Sequence, residues 1–441
     1  MMLKPAKLLL ATIAASALAG APAAAAASPS ELPANAAHVP GQLLVELRGD
    51  GPQELSLPHG VDLTQAAGAL RQNPRVRYAV PNYIATASTA CPAPSFPPCP
   101  NDPGSSTGAP GDWTTRQWNF LDTAGVGVDA PSAWQHLIDR GKPGATGIKV
   151  GVVDSGVAYR NLGRRYARSP DFGSHQFTPG YDFVDNDNHP FDLFGHGTHI
   201  AGTIAERIDN GRALTGLAYN ARIMPVRVLD RNGKGTASQV AKGIRFAVDH
   251  HARIVNLSFN FPASLGRHQL PAIYQELKRA RSHGSIVVAA AGNSSSSSIP
   301  YPAAGPGVIA VGATTENGCL AKYSNRGSGI DVAAPGGGID DPLCPAPAID
   351  NHRSIAQLTL NFAYRNYRHF AIAGLQGTSQ AAGHVSGTAA LVIASRLLGS
   401  HPTAGAILQR LRAPATSTPL PAPFQAIRLI NAGSATDPLI P

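Results

Sequence analysis

The amino-acid sequence predicts an α/β fold with a mostly parallel central sheet, helices on both of its faces, and a small α+β unit ahead of it. Three observations carry this. Near-continuous apolar runs recur along the chain, helical stretches fall between them, and glycine and proline, 46 and 38 of 441 residues, punctuate the junctions. A strand buried on both faces reads as an unbroken apolar run, and strands alternating with helices assemble into a covered parallel sheet.

The elements follow in order. Lys4 and Lys7 precede an apolar stretch, Leu8 to Ala19, and small residues through Ala27. That is the order of a secretory signal peptide, so residues 1–27 are expected to be removed and the product to be secreted, extracellular or periplasmic. Residues 28–88 hold a small unit of their own. Gln42 to Leu47 reads as a strand, Leu63 to Gln72 as a helix, and Val76 to Val80 as a second strand ending in Pro81-Asn82-Tyr83. Residues 89–112 turn into Pro, Ser, Gly and Cys without hydrophobic periodicity, as a linker does. Residues 113–441 form one large domain. Ile148 to Val153, Ala221 to Leu229, Arg253 to Phe259 and Ser285 to Ala291 read as its buried strands, with helices at Ala237 to His250 and Tyr274 to His283.

Composition sets bounds. With 43% hydrophobic and 14% charged residues the chain is no disordered polyelectrolyte. The net charge of +9 is scattered, and Arg164, Arg165 and Arg168 make only a small patch, so no nucleic-acid partner is expected. No stretch reaches the ~20 apolar residues of a membrane helix. In an oxidising compartment the four cysteines are expected as Cys91–Cys99 and Cys319–Cys344, each closing a local loop rich in Pro or Gly.

Three short motifs carry chemistry. The first strand of the large domain ends in Asp154-Ser155-Gly156, at the carboxyl edge where open α/β sheets bind ligands. Gly195-His196-Gly197-Thr198-His199 opens a helix, with small residues that let its backbone approach the sheet and leave a substrate room beside the imidazole. His196 is the candidate base and His199, three residues on, is read as structural. Gly377-Thr378-Ser379-Gln380-Ala381 opens a long helix to Leu398, with Ser379 at its amino end, where unpaired N–H groups favour negative charge.

Together these motifs resemble the subtilisin-like serine proteases, or subtilases. The resemblance rests on Val152-Val153-Asp154-Ser155-Gly156, His196-Gly197-Thr198-His199-Ile200-Ala201-Gly202, and Gly377-Thr378-Ser379-Gln380-Ala381-Ala382-Gly383-His384-Val385-Ser386-Gly387, in that order. It implies a subtilisin-like three-layer fold and a serine endopeptidase with Asp154, His196 and Ser379 as triad and Asn293 as oxyanion-hole donor. It also implies that Ser258, Phe259 and Asn260 pair with the substrate backbone, and that Ala290, Ala291 and Gly292 line the first specificity pocket. Polypeptides are the implied substrates, and a monomer is expected. Residues 28–88 resemble the family's propeptide, an intramolecular inhibitor released by cleavage within 84–92. Asp182, Asp185 and Asp187 resemble a calcium loop of the thermitase branch, with Ca²⁺ as the implied ligand, although His189 and Phe191 stand where oxygen ligands belong.

The sequence departs from the family at Gln380, where methionine is usual, at Gly383, usually proline, and at Asn260, usually glycine. Two other readings compete. One is an exported binding protein of the same fold with impaired catalysis, and the other a metal-dependent hydrolase built on His196 and His199.

Overall fold

The apolar runs of the large domain are strands of one sheet. The computed structural model describes residues 38–48, 53–58, 60–83, 100–105, 107–122, 125–345, 352–364 and 366–440. These fall into two compact units, one within residues 1–89 and one within 90–441.

The first unit contains β1 (His38–Leu47), β2 (Gln53–Ser56), α1 (Leu63–Arg71) and β3 (Val76–Tyr83). β1 is central and pairs antiparallel with both neighbours. The four-residue β2 went unread in the sequence. Asp62 caps α1, its Oδ1 accepting the Gln65 N–H at 2.7 Å. Ala66, Ala67 and Leu70 on one side of the helix share a small core with Leu43, Val45, Leu47, Val76 and Ala79.

In the second unit, α2 (Trp113–Arg116) and α3 (Ala130–Asp139) precede β4 (Lys149–Asp154), β5 (Tyr181–Asp182) and α4 (His196–Ala205). Then come β6 (Arg222–Arg227), α5 (Ala237–Asp249), β7 (Ile254–Leu257), α6 (Pro271–Ser282) and β8 (Ile286–Ala290). β9 (Val308–Thr314), β10 (Val332–Pro335), the hairpin β11 (Ile355–Leu360) and β12 (Phe370–Leu375), and α7 (Thr378–Ser395) follow. α8 (Ala404–Arg412), β13 (Ser417–Pro419), β14 (Arg428–Ile430) and α9 (Ala432–Thr436) end the chain.

The main sheet runs β13-β14-β10-β9-β8-β7-β4-β6-β5 and is parallel except for the β13–β14 pair. Alternate side chains serve two cores, which is why the strands read as unbroken apolar runs. Val150, Val152, Val288 and Ala290 pack with Trp134 of α3, Ile200 of α4 and Ala381 of α7. Val153, Val287 and Ala289 pack on the other side with Ile244 of α5 and Ile273 of α6. All 18 residues of α7 are buried, so its small and apolar residues surround it rather than forming a stripe.

The chain passes from β4 to β6 and back across β4 to β7, so the strand order reverses at β4. A crevice opens at such a reversal, at the carboxyl ends of the strands. Asp154 is the last residue of β4.

Part of the expected linker is no tether. From Pro100 onward it is fixed to the second unit: the Trp113 indole N–H donates to the Pro100 carbonyl, and buried Asp102 accepts the Asp209 and Asn210 N–H groups. Its Pro and Gly content encodes turns within a docked segment. Cys319 and Cys344 are joined as a disulfide, whereas the expected Cys91–Cys99 pair lies outside the described residues. Among the described residues no helix is long and apolar enough to cross a membrane.

Candidate active site

Asp154 reaches His196 directly. Its Oδ1 lies 2.8 Å from His196 Nδ1 and also accepts the Ser155 N–H at 2.7 Å. The carboxylate is fully buried, while the imidazole keeps 18% of its side chain exposed. A hydrogen bond from Nδ1–H to a carboxylate selects the tautomer whose Nε2 is a free base. Burial works against the imidazolium, but the charge and hydrogen bond of Asp154, with the charge of Asp192 behind them, raise the His196 pKa.

The glycine after His196 has a steric cause. A Cβ on Gly197 would lie 2.1 Å from the Gly156 carbonyl oxygen and 3.1 Å from the Asp154 Cβ. Only glycine lets the first turn of α4 press onto the end of β4. The Ser155 hydroxyl completes the joint, accepting the Gly197 N–H at 3.0 Å and donating to Asp192 at 2.9 Å.

Asp192 was not singled out in the sequence. It is buried and accepts from the Ser155 hydroxyl, the Phe194 and Gly195 N–H groups, and both the N–H and hydroxyl of Thr198. These donors oppose the upward push of burial on its carboxyl. Asp192 thus satisfies N–H groups at the start of α4 and fixes the direction in which His196 leaves it. An acidic residue just before a helix start was the available signal. Phe194 was missed as well; it is 41% exposed, with its ring centroid 6.4 Å from that of His196.

Ser379 stands in the first turn of α7, where N–H groups have no intrahelical acceptor. Its hydroxyl donates to the Ser258 carbonyl at 2.9 Å rather than to His196. The structure therefore joins Asp154 to His196, while the Ser379 hydroxyl rests on Ser258. α4 and α7 pack against each other. The Ser258 hydroxyl donates back to the Ser379 carbonyl at 3.0 Å, supported by Asn256 and, behind it, Ser386.

Asn293 lies across the same turn. Its Oδ1 accepts the Thr378 N–H at 2.9 Å and the Thr378 hydroxyl at 2.8 Å, which commits its NH₂ to the opposite side. Gly377 has φ 154° and ψ 161°, a region open essentially to glycine, and a Cβ there would lie 3.3 Å from Asn293 Nδ2. Ala290, Ala291 and Gly292 lead into Asn293, and Gly292 N–H donates to Thr378 Oγ1 at 3.1 Å. Ser258, Phe259 and Asn260 follow the last paired residue of β7, and Asn260 Nδ2 donates to the Ala290 carbonyl. α7 runs unbroken through Gln380 and Gly383.

His199 takes no part. It is buried, its Nε2 meets the carbonyls of Ile355 at 3.1 Å and Ala373 at 3.2 Å, and burial followed by the neighbouring His196 lowers its pKa to about 3. The acidic loop expected to bind calcium is tied by ion pairs and backbone hydrogen bonds. Arg227 Nη1 lies 2.6 Å from Asp182 and 2.5 Å from Asp185, Asp182 Oδ1 accepts the Val184 and Asp185 N–H groups, and Asp187 accepts the His189 N–H. The Arg227 guanidinium lies between Asp182 and Asp185, so these two carboxylates as they stand do not fit a divalent cation. Among the described residues no group of three or more His, Cys, Asp or Glu is arranged to hold a metal.

A profile described as the subtilase family matches residues 145–411. The chain is 35% identical over 328 residues to a thermophilic serine proteinase of Bacillus sp. (strain AK1), covering 74% of this chain and 65% of that protein. It is 36% identical over 265 residues to thermitase of Thermoactinomyces vulgaris, covering 60% of this chain and 79% of thermitase. A solved protease structure from Pseudoalteromonas arctica PAMC 21717 superposes with a TM-score of 0.61 at 29% identity, over 77% of this chain and 98% of that one. The parallel sheet, the Asp154–His196 pair at its carboxyl edge, the family profile and these relatives agree: the chain belongs to the subtilase family, a class of serine endopeptidases.

Proposed function

We propose that the chain is a secreted serine endopeptidase working through Asp154, His196 and Ser379. The observation that carries the reading is the 2.8 Å contact between buried Asp154 and His196, made at the strand-order reversal. Ser379 Oγ attacks the scissile carbonyl carbon while its proton passes to His196 Nε2, and Asp154 stabilises the imidazolium. The carbonyl oxygen becomes an oxyanion, met by the Asn293 amide and the Ser379 N–H. On collapse the C–N bond breaks, His196 returns the proton to the leaving amine, and a water activated by the same ring releases the acyl group from Ser379.

Export and maturation complete the proposal. Residues 1–27 direct secretion, residues 28–88 act as an inhibitory propeptide, and cleavage within 84–92 releases the enzyme as a monomer acting on polypeptides. Calcium at Asp182–Asp187 forms no part of it, because Arg227 already pairs with two of the three carboxylates.

Fluorophosphonate labelling of the processed, folded protein tests the reading. Ser379 should label stoichiometrically, and Ser379→Ala should lose both label and peptidase activity. A folded, processed protein that never labels, with Ser379→Ala indistinguishable from it, refutes the assignment.

A further inference from the structure

β7 and β8 are paired from Ile254 with Ile286 to Leu257 with Ala289, and just past that point their chains flank the nucleophile. On one side, Ser258 exchanges hydrogen bonds with the hydroxyl and carbonyl of Ser379. On the other, Gly292 and Asn293 are tied to Thr378. A peptide with its carbonyl carbon at Ser379 Oγ and its oxygen toward Asn293 must put the side chain of its acyl residue between these two walls.

That crevice is already crossed. Asn260 Nδ2 donates to the Ala290 carbonyl at 2.6 Å, so one wall reaches over to the other. The wall at Gly292 has no room for a side chain of its own, since a Cβ there would lie 2.4 Å from Asn325 Nδ2 and 3.3 Å from the Pro300 ring. Beyond the bridge, Phe261 N–H donates to the Tyr301 carbonyl at 2.8 Å and joins the same two segments again.

We propose that Asn260 closes the specificity crevice of this protein, so that it cleaves after small residues (glycine, alanine or serine) and discriminates against aromatic and long aliphatic ones. The inference rests on the peptidase reading above. A large side chain could enter only by displacing the Asn260 amide, which takes a hydrogen-bond donor from the Ala290 carbonyl.

The test compares two peptides identical except for Ala or Phe before the scissile bond, with active sites counted by fluorophosphonate titration. Wild-type protein should favour the Ala peptide in kcat/KM. Asn260→Gly should move the Phe-to-Ala ratio of kcat/KM by about 30-fold or more toward Phe, a change within the usual range for pocket size. Asn260→Ser, too short to reach Ala290, should move it the same way and serves if the glycine variant folds poorly. Equal use of both peptides by the wild type, or an unchanged ratio in variants that titrate fully, overturns the proposal. Failure of any form to titrate or cleave would instead strike the peptidase reading, and this inference with it.

Discussion

Two clusters between Asp154 and Arg227 pair buried carboxylate with a nitrogen base, and they do different work. In one, fully buried Asp154 holds His196, which stays 18% exposed. In the other, Asp182 at 1% exposure holds Arg227 at 4%, with Asp185 reaching in from the surface. Distances and burial of the acids are similar. The partners differ: an imidazole gives up its proton near neutral pH and a guanidinium does not. Carboxylate spacing therefore identifies neither a relay nor a metal site. What fills the gap does, and whether it still faces the cleft.

The comparison breaks most visibly at Asp154. Asp154→Asn should lower kcat by about 10⁴-fold, because the amide favours the wrong imidazole tautomer, while the melting temperature moves little. A normal kcat per titrated site alongside a large stability loss would make Asp154 a structural acid like Asp182. Arg227→Met should do the reverse, costing about 3 kcal/mol of unfolding free energy in denaturant melts by stranding buried Asp182, with kcat per titrated site retained. A Ca²⁺-dependent rise in the wild-type melting temperature that disappears on Asp185→Asn would return that loop to metal binding.

The smallest effect is at Asp192. The proposed mechanism needs neutral His196, and both Asp154 and Asp192 favour its protonated form, so kcat/KM should fall with acidity already above the ordinary imidazole pKa near 6.5. Asp192→Asn removes one anion, lowers the His196 pKa and should move the acid limb of the kcat/KM profile to lower pH. An unmoved or upward-shifted limb would confine Asp192 to packing.

Much of this was readable because the relevant physics is local or one-dimensional. Strands buried on both faces must be apolar throughout, which made β4, β6, β7 and β8 visible. The hairpin β11–β12 was not: Gln357 and Thr359 are buried yet polar, donating to the carbonyls of Thr215 and Gly195, and they interrupt the apolar pattern. Gly197 and Gly377 were legible with their motifs, since each answers a steric demand of its own turn.

By itself, then, the sequence determined the four central strands β4, β6, β7 and β8, the glycine-framed turns, and which acid, imidazole and hydroxyl stand at them. Those properties belong to short segments, where backbone sterics and side-chain periodicity act. Tertiary structure alone decided that Ser379 rests on Ser258, that Arg227 fills the acidic loop, and that Asn260 reaches Ala290. These partners lie 121, 45 and 30 residues apart in the chain, and a hydrogen bond acts over about 3 Å of space whatever the separation in sequence.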